Sequence, residues 1–488
     1  MTTSHFRKDF MLAPLADLER TAAQMPEAPA LVSPARRYTF AELKRVVDAA
    51  AIRLRAEGVT PRSTVAVDLP SLNEWIIDLA LMRLAARSVS LRGVPESSGL
   101  RADVLITESG RRATPAAREA VVDERWLVEA VSGASGAAPL VEYPRPDSIV
   151  RLMMTSGTTG TPRAAAYSAA ALEYRTEGLH RYWSDGRAEV NFMALSTTGG
   201  FHTAIANLRH GQAHRAVDRI DADTMRFVAA EGVQVLCGSP QQMAHAVGVL
   251  DEARITLPQL EEVRMAGATP GDALLRRIAE VLAVPVRSVY GSTEGGGVTM
   301  RMLAAGDDLA NVGPALQGSE LEVVDENGAP LPLGVEGTVR YRSPGQTSGY
   351  LVGDTVEPFP GGWFAPGDLG MLEPDGSLVL AGRSAEILNI AGQKVDPAVV
   401  DGLAAQFPGV RDAAAFGFER PTGLAELGLA VVADAECDLR ALDRDLRARL
   451  PGAHPTTFWR VSEIPRNRMG KAERGVLAEA FGRTGSVR

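Results

Sequence analysis

The sequence has few of the residues that build disulfides or metal centres. Its 488 residues include only two cysteines, Cys237 and Cys437, which lie far apart in the chain. Two thiols form neither a disulfide framework nor a cysteine-ligated zinc site, and the seven histidines lack metal-ligand spacing. We therefore expect both cysteines to be buried free thiols.

Two other features are also missing, an excess of positive charge and a long apolar run. The net charge of -9 argues against a nucleic-acid partner, because the phosphate backbone requires a basic surface. No uninterrupted apolar segment is long enough to span a bilayer, and residues 1–10 contain no apolar signal-peptide core before acidic residues begin. We expect a cytoplasmic protein with no membrane partner.

The order of apolar segments indicates an α/β fold with at least two domains, since 488 residues exceed one ordinary core. Strand-length runs such as 63–69 and 102–107 alternate with helix-length stretches such as 40–54 and 74–86. This alternation is typical of layered helices and parallel sheets.

A change of pattern between residues 313 and 361 predicts a small β region. Segments 321–325 and 337–341 are short and alternating, and the first ends in the turn sequence Asp325-Glu326-Asn327-Gly328. The Ala/Gly-rich stretch 131–140 is the segment most similar to a linker, and no internal repeat is present.

The stretch from Met153 to Arg163, MMTSGTTGTPR, has the composition of a phosphate-binding loop. Hydroxyls alternate with glycines after an apolar run, so backbone N–H groups and hydroxyl donors converge on one anion. It differs from the common ATP loop, in which a lysine immediately precedes a Ser or Thr. Taken alone, the composition is also that of a surface Ser/Thr/Gly loop.

Four further segments follow in order: 289–294 (VYGSTE), 362–368 (GWFAPGD), 382–395 (from Gly-Arg to Gly-Gln-Lys-Val) and 465–471 (PRNRMGK). Together with the phosphate loop they resemble the motifs of the adenylate-forming superfamily. That superfamily includes acyl- and aryl-CoA synthetases, luciferase, peptide-synthetase adenylation domains and amide bond synthetases. Five ordered matches are very improbable by chance.

The resemblance implies a two-domain fold. Residues 1–384 would form a large N-terminal ATP- and acid-binding domain of layered α/β sheets with a small β region. Residues 385–488 would form a small α+β lid domain, of a size usual for domains. The hinge would lie near Ala385, where the family usually has a polar residue.

In the phosphate loop the resemblance implies hydroxyl donors to ATP, glycines that allow close backbone approach, and one cation. Arg163 replaces the usual lysine, which keeps the charge but gives it a planar fork; a solvated arginine after a turn proline is the alternative. These residues are Thr155, Ser156, Gly157, Thr158, Thr159, Gly160 and Arg163.

The second motif implies a magnesium site beside the nucleotide. Glu294 would hold Mg²⁺ against the phosphates, because magnesium accepts one or two carboxylates plus phosphate oxygens. Tyr290 would flank the adenine and Thr293 would contact the nucleotide. The remaining nucleotide-binding residues implied here are Gly291, Ser292, Gly267 and Ala268.

The third to fifth motifs imply the ribose contacts and the catalytic cation. Asp368 would accept hydrogen bonds from the ribose hydroxyls, and Arg383 would reinforce it. Lys471 would reach the carboxylate and the α-phosphate, where the transition state gathers negative charge. Ala365 and Pro366 replace the His or Thr of many members, which removes one side-chain contact.

The acid-binding loop corresponds to residues 193–202. Gly199 falls at the family's histidine position. His202 would line the pocket, would assist an incoming nucleophile, or is a hydrogen-bonded structural histidine. No acidic residue occurs between Leu195 and Ala206, which argues against an α-amino acid. The glycines 295–297 leave room for a flat or bulky acid.

We interpret the sequence as an ATP- and Mg²⁺-dependent ligase that adenylates a small-molecule carboxylic acid, aromatic or medium-sized and apolar. CoA is the expected acceptor. An amine, giving an amide, is the main alternative, and a carrier-protein thiol is the third. A non-catalytic nucleotide-binding member is a rival from another class, against which the retention of Lys471 counts. The sequence is compatible with a homodimer.

Overall fold

The computed structural model of the chain describes residues 11–92, 100–108, 116–134, 137, 140–155, 163–178, 183–353, 355–383, 388–390, 393–395, 397–419, 425–450, 454–466 and 472–481. Within these residues the chain forms layered sheets and helices, a separate antiparallel β region and a smaller C-terminal α+β unit. The α/β fold predicted from the sequence is therefore confirmed.

The helices pack against the sheets and supply much of the apolar core. In chain order they are α1 (Ala13–Gln24), α2 (Phe40–Ala56), α3 (Ser71–Arg83), α4 (Glu124–Gly133), α5 (Ala169–Gly178), α6 (Thr198–His210), α7 (Ala222–Ala230), α8 (Pro240–Glu252), α9 (Asp272–Val281), α10 (Pro397–Ala404), α11 (Leu439–Arg449) and α12 (Arg474–Phe481). A 3-10 turn lies at Pro360–Gly362.

The strands are short, as expected of an α/β protein. In chain order they are β1 (Pro29–Val32), β2 (Arg37–Thr39), β3 (Thr64–Asp68), β4 (Arg87–Ser90), β5 (Ala102–Thr107), β6 (Ala116–Val121), β7 (Ile149–Thr155), β8 (Arg163–Ser168), β9 (Glu189–Asn191), β10 (His214–Arg215), β11 (Val235–Gly238), β12 (Glu262–Ala266), β13 (Val286–Ser292), β14 (Gly296–Leu303), β15 (Asn311–Pro314), β16 (Glu320–Val324), β17 (Gly337–Arg342), β18 (Gly349–Val352), β19 (Thr355–Glu357), β20 (Asp368–Leu372), β21 (Ser377–Arg383), β22 (Leu388–Ile390), β23 (Gln393–Val395), β24 (Val410–Glu419), β25 (Ala425–Ala433) and β26 (Thr457–Arg460).

Two eight-stranded sheets form the large layers. One has the order β14-β13-β12-β11-β9-β10-β1-β2 and the other β19-β18-β8-β7-β4-β3-β5-β6. From β13 to β1 and from β7 to β6 neighbouring strands are parallel, whereas the pairs β13–β14, β1–β2, β7–β8, β8–β18 and β18–β19 are antiparallel. The phosphate-loop hairpin and the VYGSTE hairpin each contribute an antiparallel pair.

The β region is a five-stranded antiparallel sheet, β15-β21-β20-β17-β16. The predicted turn after β16 is present, since Gly328 N–H donates to the Asp325 carbonyl over 3.0 Å. Asp325 also accepts from Asn327 N–H at 2.9 Å through its own side chain, which stabilises the reversal.

The C-terminal unit has its own core. Its three-stranded sheet, β24-β25-β26, is covered by α10, α11 and α12, and its two apolar clusters contain only residues from 388 onward. The hairpin β22–β23 belongs to the same stretch of chain. The predicted domain boundary at residues 384–385 lies outside the described residues, so the division at that point stays a prediction.

Local sequence explains where several elements begin. Thr39 caps α2, accepting from Glu42 N–H at 3.2 Å, while the Glu42 carboxylate accepts from Thr39 N–H at 2.9 Å. Helix α2 therefore starts at the predicted residue, Phe40. The stretch expected to be a linker from residue 131 is corrected, because α4 continues to Gly133 with Trp126, Leu127 and Ala130 buried.

No helix among the described residues is long and apolar enough to cross a membrane. The buried thiol of Cys237 lies in β11, and Cys437 is half-buried in the C-terminal unit; both are free. Burial raises the pKa of the Cys237 thiol, so this side chain behaves as a small apolar residue.

Candidate functional site

The phosphate-loop sequence connects two hydrogen-bonded strands. β7 ends at Thr155 and β8 begins at Arg163, and these two residues are paired across the hairpin. The Thr155 hydroxyl donates to the Arg163 carbonyl over 3.3 Å. Ser156, Gly157, Thr158, Thr159 and Gly160 lie outside the described residues, and their role stays a prediction.

Arg163 is exposed at the start of β8, as a ligand-binding cation must be. Its guanidinium carbon lies 3.9 Å from the ring centroid of Tyr350, which is the second residue of β18. This is a cation–π contact. A lysine ammonium would keep only the charge part of this contact, because a planar guanidinium can also stack on the ring.

The VYGSTE motif forms a tight antiparallel connection between β13 and β14. Gly291 is opposite Gly297, and a Cβ atom on Gly291 would lie 1.9 Å from the Gly296 carbonyl oxygen. Only glycine fits that approach. The Ser292 hydroxyl accepts from Gly295 N–H at 3.0 Å, which closes the turn around Glu294.

Glu294 is only 6% exposed although it carries a carboxylate. Its Oε1 accepts a hydrogen bond from the Tyr350 hydroxyl at 2.6 Å, and its backbone carbonyl accepts from Thr347 N–H at 2.8 Å. Burial and the adjacent Glu294 charge raise the pKa of Tyr350, so the phenol stays a hydrogen-bond donor. The carboxylate is thus held in one place.

Tyr290 and Asp368 make the second tyrosine–carboxylate contact. The Tyr290 hydroxyl donates to Asp368 Oδ2 over 2.6 Å, and Asp368 is 5% exposed. Asp368 starts β20 directly after Gly367, whose φ of 83° favours glycine. β20 pairs with β21 so that Asp368 faces Arg383, which makes the two predicted ribose partners cross-strand neighbours.

Gly267 and Ala268 follow β12 at the same edge of the sheet. β12 is parallel to β13, with Ala266 opposite Val289, so the chain leaves β12 beside Tyr290. Gly267 has a φ of 91°, which explains the glycine at this exit. The structure therefore brings the predicted adenine-binding segment next to the VYGSTE motif.

His202 lies in the first turns of α6. The helix begins close to the preceding loop, because a Cβ atom on Gly200 would meet the carbonyl oxygens of Met193 and Ala194 at 2.3 Å. His202 is 3% exposed, and its Nε2 has no hydrogen-bond partner among the described residues. Burial and the Arg175 charge lower its pKa well below the usual value, so the imidazole is neutral.

A cavity of about 350 Å³ lies beside the glycines of β14. Gly295 and Gly297 form one wall, and Tyr174, Leu316 and Pro344 supply apolar surface. Space of this size suits a small organic group.

Lys471 lies outside the described residues, but the residues on either side of that gap are described. Arg466 and Ala472 form an antiparallel bridge across it. The Arg466 guanidinium also binds the Asp412 carboxylate, with contacts of 2.5 and 3.1 Å. The predicted role of Lys471 is not tested by this geometry.

Three residues that motif analysis missed also contribute here: Tyr350, Tyr167 and Arg175. The Arg175 guanidinium donates to the backbone carbonyls of Thr293 and Glu294, and the Tyr167 hydroxyl donates to Thr293. Their sequence neighbourhoods carry no motif, and only the fold brings them to Glu294.

A sequence model of the AMP-binding enzyme family matches residues 18–351, which is more than half of the chain. The chain belongs to the AMP-binding enzyme family. That match covers the phosphate loop, the VYGSTE motif and Tyr350, and it ends before Asp368.

Curated relatives in this family are ligases. The chain is 26% identical to 2-hydroxy-7-methoxy-5-methyl-1-naphthoate–CoA ligase of Streptomyces carzinostaticus, over 96% of this chain and 92% of that protein. It is 27% identical to 4-chlorobenzoate–CoA ligase of Arthrobacter, over 95% and 94%. It is also 30% identical to the fatty acid–[acyl-carrier-protein] ligase MmaC of Mycobacterium marinum, over 68% of each chain.

Solved structures show the same fold. ATP-bound MatB from Rhodopseudomonas palustris superposes with a TM-score of 0.84 at 22% identity, covering 97% of this chain and 99% of that chain. The amide bond synthetase McbA from Marinactinospora thermotolerans superposes with a TM-score of 0.78 at 23% identity, covering 96% and 99%. At these identities the likeness establishes the architecture alone.

Proposed function

We propose that this protein activates a carboxylic acid as its adenylate with ATP and Mg²⁺, and then transfers the acyl group to CoA. The observation that carries the proposal is a pair of buried carboxylates, Asp368 and Glu294, each hydrogen-bonded by a tyrosine. Tyr290, at the start of the segment 290–294, binds Asp368, and Glu294, at the end of that segment, is bound by Tyr350. Arg163 at the end of the phosphate loop stacks on that same Tyr350.

Each part of this arrangement suits one part of the nucleotide. Asp368 accepts from the ribose hydroxyls, assisted by Arg383 on the neighbouring strand, while Gly267, Ala268 and Tyr290 border the adenine. The residues from Thr155 to Gly160 donate to the phosphates, and Arg163 neutralises their charge. This assignment combines the family's motifs with the geometry of the described residues.

Glu294 fits a magnesium ion. It is a hard, buried oxygen ligand whose position is fixed, and magnesium commonly takes one or two protein carboxylates and completes its shell with phosphate oxygens and water. The described residues contain no cluster of three or more His, Cys, Asp or Glu side chains arranged for a metal. When bound, the ion would neutralise charge on the phosphates.

The reaction then proceeds in two displacements. A carboxylate oxygen of the acid attacks the α-phosphorus, and pyrophosphate leaves with the electron pair of the broken P–O bond. The thiolate of CoA next attacks the acyl carbon, and AMP leaves. Lys471 stabilises the negative charge that gathers on the reacting oxygens in the first step, and it lies on the C-terminal unit, which would act as a lid.

The acid is aromatic or medium-sized and apolar in this proposal. The cavity beside Gly295 and Gly297 supports it, because small residues there leave about 350 Å³ next to apolar surface. The two CoA-ligase relatives described above act, by their names, on a naphthoate and a chlorobenzoate, which are aromatic acids. The absence of acidic side chains in α6 between Leu195 and Ala206 also disfavours an ammonium-bearing substrate.

One alternative acceptor has a specific observation in its favour. MmaC, which shares 30% identity over two thirds of the chain, is named for transfer to an acyl-carrier protein, so a carrier-protein thiol is the second candidate. An amine acceptor is supported only by the shared fold of McbA.

The test is pyrophosphate release from ATP and Mg²⁺ with a panel of acids. We expect release with aromatic acids such as benzoates and naphthoates, little with α-amino acids, and none without acid. Asp368→Asn should reduce the rate, whereas Asp147→Asn, which changes an exposed carboxylate paired with Arg145, should not. Release that does not depend on any acid would contradict the proposal.

A further inference from the structure

Arg175 is a buried cation that donates hydrogen bonds to backbone carbonyls of the loops around Glu294. It lies on α5 and is 4% exposed. Nη2 donates to the Glu294 carbonyl at 3.0 Å and to the Thr293 carbonyl at 3.4 Å, and Nε donates to the Gly345 carbonyl. One guanidinium thus joins a helix to two separate loops.

Tyr167 completes this unit. It is fully buried on β8, four residues after Arg163, and its hydroxyl accepts from Arg175 Nη1 at 2.5 Å. The same hydroxyl donates to the Thr293 carbonyl at 2.8 Å. Thr293 therefore receives a hydrogen bond from each member of the Arg175–Tyr167 pair.

The hydrogen-bond acceptors of Arg175 restrict the conformation of the loop at 293–294. A buried guanidinium must have its donors satisfied, because an unpaired charge away from water costs several kcal/mol. Three of the four acceptors of Arg175 are backbone carbonyls, whose positions are set by the loop conformation. The loop at 293–294 consequently has one conformation that satisfies the cation, and departures from it leave buried donors unpaired.

Gly296, which follows this loop, also lies close against the Arg175 guanidinium. Gly296 has a φ of 80°, and a Cβ atom there would lie 3.2 Å from the Arg175 guanidinium carbon. The backbone of β14 thus passes close against the cation. Glu294 is held from two directions, through its carboxylate by Tyr350 and through its main chain by Arg175.

We infer that Arg175 and Tyr167 are positioning residues that hold Glu294 where a magnesium ion on the ATP phosphates meets its carboxylate. This inference rests on the proposed function, in which Glu294 is the metal ligand. Loss of a partner that orients a metal ligand typically weakens metal affinity by roughly tenfold to a hundredfold.

The experiment measures ATP affinity by calorimetry with and without Mg²⁺, for the parent, Arg175→Lys and Tyr167→Phe. Lysine keeps the charge but cannot bind three carbonyls and a phenol at once. We expect the Mg²⁺-dependent gain in ATP affinity to fall by roughly tenfold or more for Arg175→Lys, and in the same direction for Tyr167→Phe. ATP affinity without Mg²⁺ should stay within about twofold of the parent.

Arg215→Lys is the matched control. Arg215 is also a buried arginine that donates to backbone carbonyls, those of Ala213, Glu189 and Glu231, but it lies on β10 and bonds none of the loop at 293–294. The Arg215→Lys substitution should lower the melting temperature without changing the Mg²⁺-dependent gain in ATP affinity. Tyr167→Phe keeps the ring in place, so it provides a milder variant if Arg175→Lys does not fold.

Two results would overturn the inference. The first is a Mg²⁺-dependent gain in ATP affinity that is the same in Arg175→Lys, Tyr167→Phe and the parent. The second is an equal loss of that gain in the control Arg215→Lys. Because the readout is ATP binding, it does not depend on acid activation. If the parent releases no pyrophosphate with any acid, yet Arg175→Lys loses the Mg²⁺ effect, the proposed function fails and the positioning role stands.

Discussion

The Tyr350 hydroxyl donates a 2.6 Å hydrogen bond to Glu294, and Arg163 stacks on the other part of the same side chain at 3.9 Å from the ring centroid. Tyr350 therefore links the end of the phosphate-loop hairpin to the buried carboxylate that we propose as the metal ligand. The two contacts use different parts of one residue, the ring face for the cation and the hydroxyl for the anion.

Glu294→Gln tests the role of this carboxylate. The amide keeps the shape of the side chain but removes a charged oxygen ligand, so we expect Mg²⁺ use to suffer more than acid binding. A Mg²⁺ titration of pyrophosphate release should shift to clearly higher concentrations, while the KM for the acid changes little. Tyr350→Phe keeps the Glu294 carboxylate but removes the hydrogen bond that holds it, so this variant should shift the Mg²⁺ titration curve less. An unchanged titration curve for Glu294→Gln would refute the metal-ligand role.

Glu74 gives a prediction about pH. It is fully buried on α3, and burial together with the Asp78 charge raises its pKa to about 8, against the opposing effect of Arg151. The folded protein then binds this proton more tightly than the unfolded chain does. The resulting stabilisation is complete below the ordinary pKa of 4.5 and is lost as pH rises through about 8.

Glu74→Gln should remove that dependence, because the amide does not titrate. In urea unfolding at pH 5, 7 and 9, the stability of the variant relative to the parent should increase with pH, by at most about 1.4 kcal/mol per pH unit. Glu463→Gln, at an exposed position, should track the parent at every pH. A constant difference for Glu74→Gln across the range would show that its carboxyl group has an ordinary pKa in the folded state.

Local sequence patterns predicted the strands and helices of this fold well where one or both faces of the element are buried. The run at 102–107 is β5 without change, and the helix predicted from Phe40 begins there because of its capping box. The segment predicted to bind adenine and the carboxylate predicted to bind ribose were identified by motif, and the structure brings both beside Tyr290.

Long-range partners were not predictable in this way. Arg175 and Glu294 are 119 positions apart, and Arg175 and Gly345 are 170 apart. An arginine in a helix is usually solvated, and nothing in the neighbouring residues marks this one as buried. The same applies to Tyr350, whose hydrogen bond to Glu294 depends on the pairing of β18 with β8.

Lys471→Ala tests the predicted catalytic cation. We expect the fold and ATP affinity to stay close to those of the parent, while adenylate formation slows by roughly two or more orders of magnitude, as when one charge-stabilising donor is removed. Pyrophosphate exchange measures this step directly. Lys44→Ala, which removes a lysine paired with Asp48 on α2, is the control and should exchange at the parent rate. Equal rates for Lys471→Ala and Lys44→Ala would exclude the role.

The acceptor is tested by comparing nucleophiles on the same adenylate. In the proposed function adenylation and transfer share one site, so the C-terminal unit would have to move Lys471 away before the acceptor enters. If CoA is the acceptor, sub-millimolar CoA should raise AMP formation and give a thioester detectable by mass spectrometry, whereas a millimolar amine should have little effect. A carrier protein with its phosphopantetheine thiol is the third arm.

An AMP signal that follows the amine and ignores both thiols would replace CoA by the amide-forming alternative. His202→Ala would then test whether the unpaired Nε2 of the neutral, buried His202 imidazole takes the amine's proton. A slower amide-forming step with unchanged adenylation would place His202 beside the acyl group. Equal slowing of both steps, or of neither, would leave it a structural histidine of α6.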